Sequence, residues 1–248
     1  MTLGSGRSAG ATGIDAVVFD WGGTLTPWSA MDPAVGWSRY AAAAHPDDPE
    51  RAAGLAATLA DADLAHWVRV KHTARAFGIG DVLAAAGVDT ATDGHVAGLA
   101  AYRDYWTPST HTRPEAAAVL GALRGRGLRI GVLSSTMWPG DWHEDWLRRD
   151  GVLDAFNARV WSSDLIWTKP RTEAFRAVLD ALGVDDPSRA VYVGDRPYDD
   201  VTGAHRAGMH TVFVPHSDIP VAQQVATDVT PDAVAHELTD IPDLIAAW

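Results

Sequence analysis

Val17-Val18-Phe19-Asp20-Trp21-Gly22-Gly23-Thr24-Leu25 joins a short apolar run to a carboxylate and then to two glycines. The first three residues are continuously apolar rather than alternating, the pattern of a strand buried on both faces. Three more runs share it: Ile130-Gly131-Val132-Leu133, Val191-Tyr192-Val193 and Val212-Phe213-Val214. A weaker strand is expected over Arg159 to Ser162, between the second and third of these. Helical patterns lie between the runs. Val119, Leu120 and Leu123 recur at helical spacing before Gly125, as do Phe175, Val178, Leu179 and Leu182 before Gly183, a favourable C-terminal stop. Strands alternating with helices predict an α/β fold, a doubly wound parallel sheet.

From about Ser29 to Pro108 the rhythm changes. The stretch is Ala-rich, carries Leu55, Leu59, Leu64, Trp67, Val68 and Leu83, and shows no strand-like alternation. Pro46, Pro49, Gly78, Gly80 and Gly87 divide it into several helices. A structureless loop of that length is implausible in a compact domain, so a helical insert is expected over 29–108, between core segments 14–28 and 109–248. Residues 1–13 read as a disordered leader, because they lack the apolar stretch of a signal peptide. A final helix is expected from near Pro231 to Leu244-Ile245.

The 248 residues are 47% hydrophobic and 21% charged, enough for one large domain or a core with a smaller insert. The net charge of −12 repels phosphate backbones and argues against nucleic acid as a partner, while leaving room for a local site that binds a small anion. There is no cysteine, hence no disulfide or thiolate chemistry, which agrees with a cytoplasmic setting. No apolar run reaches the length of a membrane span, so no membrane partner is expected. Lysine occurs only as Lys71 and Lys169.

In an open parallel sheet, ligands bind outside the carboxyl ends of the strands. The residues directly after the runs are Asp20, Ser134 and Gly194-Asp195, with Lys169 in a turn before a helix. Asp195, Asp199 and Asp200 crowd into six residues and repel one another unless a cation or solvent intervenes. With Asp20 they make a hard oxygen cluster suited to Mg²⁺. The bland alternative is helix capping, which one of Asp199 or Asp200 is expected to perform. Lys169 places a fixed cation beside the anion site, and Ser134 and the amide of Ser135 can donate to that anion. Trp138, Trp142 and His143, with Trp21 and Trp28, either wall an apolar pocket or pack beneath the insert.

The order Asp20, Ser134, Lys169, Asp195/Asp200 resembles the four motifs of the haloacid dehalogenase superfamily, and Gly203-Ala204-His205-Arg206-Ala207-Gly208-Met209 resembles the stretch after that family's last motif. The resemblance runs from Val17 to about Val214, with the helical insert in the place of that family's cap domain. It implies a Rossmann-like core in which Asp20 is the nucleophile, Ser134 binds the transferring group, and Lys169 stabilises nucleophile and intermediate. It implies Mg²⁺ on Asp20, Asp195 and the carbonyl of Gly22, with Asp200 and then Asp199 as outer partners. Trp21, Gly23, Thr24 and Ser135 are expected to contact substrate.

One position departs from the pattern. Phosphatases of the superfamily carry a second Asp two residues after the nucleophile, to protonate the leaving group and activate water; here that residue is Gly22. Loss of such a group typically costs about 10²–10⁴ in rate. The superfamily's phosphonoacetaldehyde hydrolases have Ala there, a similar Asp-Trp opening and a cap lysine that forms a Schiff base, a role only Lys71 could take in this insert. The bland reading of Lys71 is a solvated helix face. Haloacid dehalogenases have an aromatic residue at that point and use no metal, which the acidic residues around Asp195 argue against. The leading expectation is a Mg²⁺-dependent hydrolase of a small phosphorylated metabolite with a good leaving group. The alternatives are C–P cleavage through Lys71 and a catalytically weak phospho-ligand-binding protein.

Overall fold

The computed structural model describes residues 13–215 and 225–248, so the expected leader lies almost wholly outside the described residues. Six parallel strands form one sheet in the order β3-β2-β1-β4-β5-β6. They are β1 (Ala16–Phe19), β2 (Arg129–Ser134), β3 (Ala158–Trp161), β4 (Ala190–Gly194), β5 (His210–Phe213) and β6 (Ala233–Val234). β1 lies at the centre, with Val17 opposite Ile130 on one side and Val191 on the other. The order reverses at β1, so the chain leaves the sheet in opposite directions from β1's two neighbours and opens a crevice at their carboxyl ends.

Side chains alternate across the sheet and build two cores. Val17, Phe19, Ile130, Val132, Val191 and Val193 pack on one face, against Val119, Leu120 and Leu123 of α5 (Ala116–Gly125) and Ile241 and Ile245 of α9 (Ile241–Ala246). Ala16, Val18, Leu133 and Tyr192 pack on the other, against Phe175, Val178, Leu179 and Leu182 of α7 (Thr172–Leu182). Each fully buried Val, Leu or Phe contributes about 1.5–3 kcal/mol over its exposed state. α7 ends where Gly183 takes a left-handed φ of 67°.

Between β1 and α5 lie four helices: α1 (Pro33–Ala44), α2 (Pro49–Thr73), α3 (Ile79–Ala85) and α4 (Asp93–Trp106). Asp32, Asp48 and Thr92 cap α1, α2 and α4 with side-chain oxygens. Gly80, expected to interrupt the insert, lies inside α3 instead, since Gly78 begins that helix and Asp81 accepts its N–H at 2.8 Å. Trp37, Tyr40 and Tyr102 are fully buried among α1, α2 and α4 and give the insert its own packing centre. The insert is tied to the core by three backbone bonds: Ile79 N–H to Met137 O, Ala76 N–H to Ile166 O and Thr168 N–H to Ala74 O. The fold is thus a doubly wound parallel α/β core with a helical cap.

The expected helix near Pro231 is corrected. Residues 233–234 are strand β6, because Thr211 and Asp232 exchange side-chain bonds to each other's backbone N–H groups and hold the segment against β5. The helix begins only at Ile241, with Pro242 in its first turn. Among the described residues, no helix is long and apolar enough to cross a membrane.

Candidate active site

Asp20 leaves β1 with its backbone N–H still bonded to Val193 O at 2.8 Å, so the carboxylate is aimed by the sheet itself. The chain then turns tightly. Thr26 N–H bonds Trp21 O and Gly23 N–H bonds Thr26 O, both at 2.9 Å, while Arg113 grips the turn through Leu25 O and Thr24 O. Gly23 has a φ of 95° and faces Asp195 at the end of β4. Gly22 has no such constraint: a Cβ there would meet nothing within 4 Å.

Lys169 is the hub. Its ammonium donates to Asp20 Oδ1 at 2.6 Å, Asp200 Oδ1 at 2.7 Å and the Tyr192 hydroxyl oxygen at 2.9 Å. Tyr192 in turn donates to Leu133 O at 3.0 Å, fastening the cation to two strands. Asp20, Asp195 and Asp200 are all buried and each offers an oxygen within 4.8 Å of the others. Thr24 Oγ1 donates weakly to Asp195 at 3.4 Å. Ser134 is buried at the end of β2, and Ser135 Oγ accepts from Thr168 Oγ1 at 2.7 Å.

Electrostatics follow from this crowding. Burial drives the Asp20 carboxyl above its ordinary value; Lys169 opposes it and Asp200 adds to it. Burial acts to lower the Lys169 ammonium, but Asp20 and Asp200 outweigh it and hold the group well above its ordinary value. Asp199, at the margin beside Arg196, is pushed up to about 6 by burial and then by Asp200. Asp20 and Asp199 both feel the positive charges of Lys169 and Arg196, and Asp195 brings a further buried carboxylate up to Asp20 and Asp200. Three buried carboxylates converging on one point, an all-oxygen donor set, fit a divalent cation such as Mg²⁺.

The expected cap falls to Asp200: the segment Pro197–Thr202 winds as a wide π turn, and Asp200 Oδ2 accepts the N–H of Arg196, the residue that begins it, at 2.9 Å. Of the two readings of the aromatic residues, packing is the one observed: Trp21, Trp138, Trp142 and His143 come together with Trp146 and Trp161 in the core. Trp28 is separate, lying under the Arg196 guanidinium at 5.3 Å. Lys71 is exposed near the end of α2, whereas Lys169 is only 4% exposed. Tyr192 was missed in sequence. The signal was there: a tyrosine amid an apolar, doubly buried strand requires a partner for its hydroxyl.

A family model for haloacid dehalogenase-like hydrolases matches residues 14–208. The chain belongs to that family. It is 30% identical over 149 residues to a glyceraldehyde 3-phosphate phosphatase of Methanopyrus kandleri, and 36% identical over 147 residues to a phosphoglycolate phosphatase of Rhodospirillum rubrum. These matches span 60% and 58% of the chain, and 63% and 59% of those relatives' lengths. Among solved structures it is similar to a 2-haloacid dehalogenase of Pseudomonas syringae pv. Tomato, at 26% identity and a TM-score of 0.63, over 95% of this chain and 99% of the other. A HAD phosphatase of Thermococcus onnurineus has the same TM-score at 19% identity, over 94% and 98% of the two chains, and shares the fold.

Proposed function

We propose that this chain is a Mg²⁺-dependent phosphohydrolase acting on a small phosphorylated metabolite, with Asp20 as the nucleophile. The observation that carries the reading is the buried triad of Asp20, Asp195 and Asp200, which brings three carboxylate oxygens to one point while Lys169 holds two of the three. A metal-free dehalogenase has no use for such a cluster. The named activities of the phosphatase relatives point the same way.

Asp20 and Asp195, with the carbonyl of Gly22, would hold the ion, and Asp200 would steady it from behind while anchoring Lys169. When bound, Mg²⁺ neutralises phosphate charge and aligns the ester for in-line attack. Asp20 attacks phosphorus and the P–O bond to the leaving alcohol breaks, leaving an aspartyl phosphate that water then hydrolyses. Lys169 keeps one Asp20 oxygen fixed and offsets charge on the transferring group. Ser134 and the amide of Ser135 hold the phosphoryl oxygens, with Trp21, Gly23 and Thr24 lining the approach.

The leaving alcohol receives no proton from position 22. His143 cannot replace the missing acid, because burial pushes its imidazole down to about 3. Lys71, exposed on α2, does not favour the Schiff-base route. The substrate therefore has a good leaving group or brings its own proton. The test is turnover of an aryl phosphate by the purified chain. Mg²⁺ should be required, a chelator should stop the reaction reversibly, and Asp20→Asn should abolish it. Release of halide from a 2-haloacid in excess chelator, with no phosphate release under any condition, would replace this reading with dehalogenation.

A further inference from the structure

Thr168, the residue before Lys169, commits every polar group it has to a fixed partner. Its N–H donates to Ala74 O at 3.0 Å, its carbonyl accepts the Arg171 N–H at 3.0 Å, and its hydroxyl donates to Ser135 Oγ at 2.7 Å. The residue is only 2% exposed.

Other buried hydroxyls of this protein end on backbone carbonyls: Thr26 on Trp21 O at 3.2 Å, Thr110 on Thr107 O at 2.8 Å and Ser162 on Thr136 O at 2.9 Å. A carbonyl closes a line of donation, whereas a hydroxyl passes it on. Ser135 Oγ carries one proton. With Thr168 as its donor, that proton points away from Thr168, and it meets no acceptor among the described residues. A hydroxyl that accepts one hydrogen bond is also a stronger donor for the next. Ser135 is half-buried, so an oxygen of a bound molecule can reach it. The parallel register sets Phe19 opposite Val132, so the chain beyond Ser134 leaves the sheet beside the chain that carries Asp20.

The cap in turn holds Thr168. Segment 74–79 joins the end of α2 to the start of α3 and runs along both motif loops. Ala74 O takes the Thr168 N–H, Arg75 bridges Trp167 in antiparallel register, and Ala76 N–H donates to Ile166 O at 3.0 Å. Ile79 N–H reaches Met137 O at 2.7 Å, just past Ser135. Ala74 has a φ of 52°, the only left-handed residue other than glycine among the described residues. Alanine resists that conformation, which persists where surrounding bonds over-determine it. Here it ends α2 and brings the Ala74 carbonyl to Thr168.

We propose that Thr168 is a positioning residue that makes the Ser135 hydroxyl a donor to the transferring phosphoryl group, and that the docked cap segment 74–79 holds Thr168 in place. The proposal rests on the phosphohydrolase reading. It adds a third donor to Ser134 and the Ser135 amide, one whose alignment depends on the cap.

The experiment is a double-mutant cycle on the full chain with Mg²⁺, read as kcat for p-nitrophenyl phosphate and, by calorimetry, as Kd for inorganic phosphate. Ser135→Ala should lower kcat and raise Kd about tenfold or more, the scale of a hydrogen bond to a charged group. Thr168→Val, which keeps the shape and loses the hydroxyl, should do so about three- to tenfold, the scale of a neutral hydrogen bond. Thr168→Ala gives the same reading should the valine variant not fold. Thr168→Ser, which keeps the hydroxyl, should recover most of both values. The double variant should match Ser135→Ala within about twofold, since Thr168 acts only through Ser135. Additive losses, or a Thr168→Val protein equal to wild type, overturn the positioning role. Coupling between docking and binding is reciprocal, so phosphate should slow deuterium exchange at the Ala76, Ile79 and Thr168 amides in wild type but not in Ser135→Ala. Exchange indifferent to phosphate overturns the part given to the cap. If wild type cleaves no aryl phosphate while phosphate binding follows the cycle, the phosphohydrolase reading fails and the positioning role stands. If aryl phosphate is cleaved and the losses are additive, the positioning role alone fails.

Discussion

A β-carbon on Gly23 would stand 2.3 Å from Asp195 Oδ2, a separation that side chains do not tolerate. The first and last motifs therefore touch through a missing side chain, and the glycine's φ of 95° adds a second reason for its identity.

Gly23→Ala should displace Asp195 or open the turn, and so weaken Mg²⁺ binding by at least about tenfold, a loss typical of disturbed ligand support. Isothermal calorimetry with Mg²⁺ reads this directly. Gly22→Ala, one residue earlier, should leave metal affinity within about twofold, because its Cβ meets nothing and its φ is not left-handed. Equal damage from both changes would mean that the turn, not the contact with Asp195, sets affinity.

Gly22→Asp tests the missing acid. A β-carbon there meets nothing within 4 Å and φ is not left-handed, so backbone strain does not confuse the result. Wild-type rates should fall steeply as leaving-group pKa rises, and the variant should flatten that slope by rescuing alkyl esters about 10²-fold or more. A wild type that cleaves alkyl and aryl phosphates equally well would show that another residue supplies the proton.

Lys169→Met removes the only buried ammonium among three buried carboxylates. It should lower kcat by about 10²–10⁴, as loss of a charge-stabilising group does. It should also destabilise the metal-free protein by about 3–5 kcal/mol, the cost of orphaning a buried charge. Added Mg²⁺ should restore part of the melting temperature but little of the rate. Recovery of both together would make Lys169 a purely structural counter-ion.

His143 gives a pH signature. Its folded-state pKa near 3 lies below the ordinary 6.5, so the unfolded chain binds the proton first. Its contribution to stability is complete above pH 6.5 and is lost as pH falls toward 3, by about 1.4 kcal/mol per pH unit. Asp199, raised to about 6, works in the opposite sense, being more favourable to the fold when protonated. The comparison must therefore be between wild type and His143→Gln. Between pH 6.5 and 5, wild type should lose about 2 kcal/mol more than the variant in urea unfolding. Parallel curves would show that His143 takes up its proton as readily in the native state as in the unfolded chain.

The sheet was legible because its strands are apolar without interruption, and the carboxyl edge followed from topology. Asp20, Lys169, Asp195 and Asp200 meet where that edge required. Tyr192 escaped notice because it reads as one more strand residue, although its hydroxyl carries the link from Lys169 to β2. The β6 segment escaped because two residues held by Thr211 and Asp232 carry no periodicity.

The aromatic chain from Trp21 through Trp138, Trp146 and Trp142 to Tyr102 and Trp106 has an optical consequence. Indoles in contact exchange excitation and couple their transitions, and here the coupled set straddles both halves of the molecule. Any shift of the helical layer against the sheet changes the ring angles at Trp106 and Trp138, where the two halves join. The near-ultraviolet dichroism and emission of the unlabelled protein are thus a native gauge of how far that seam is open.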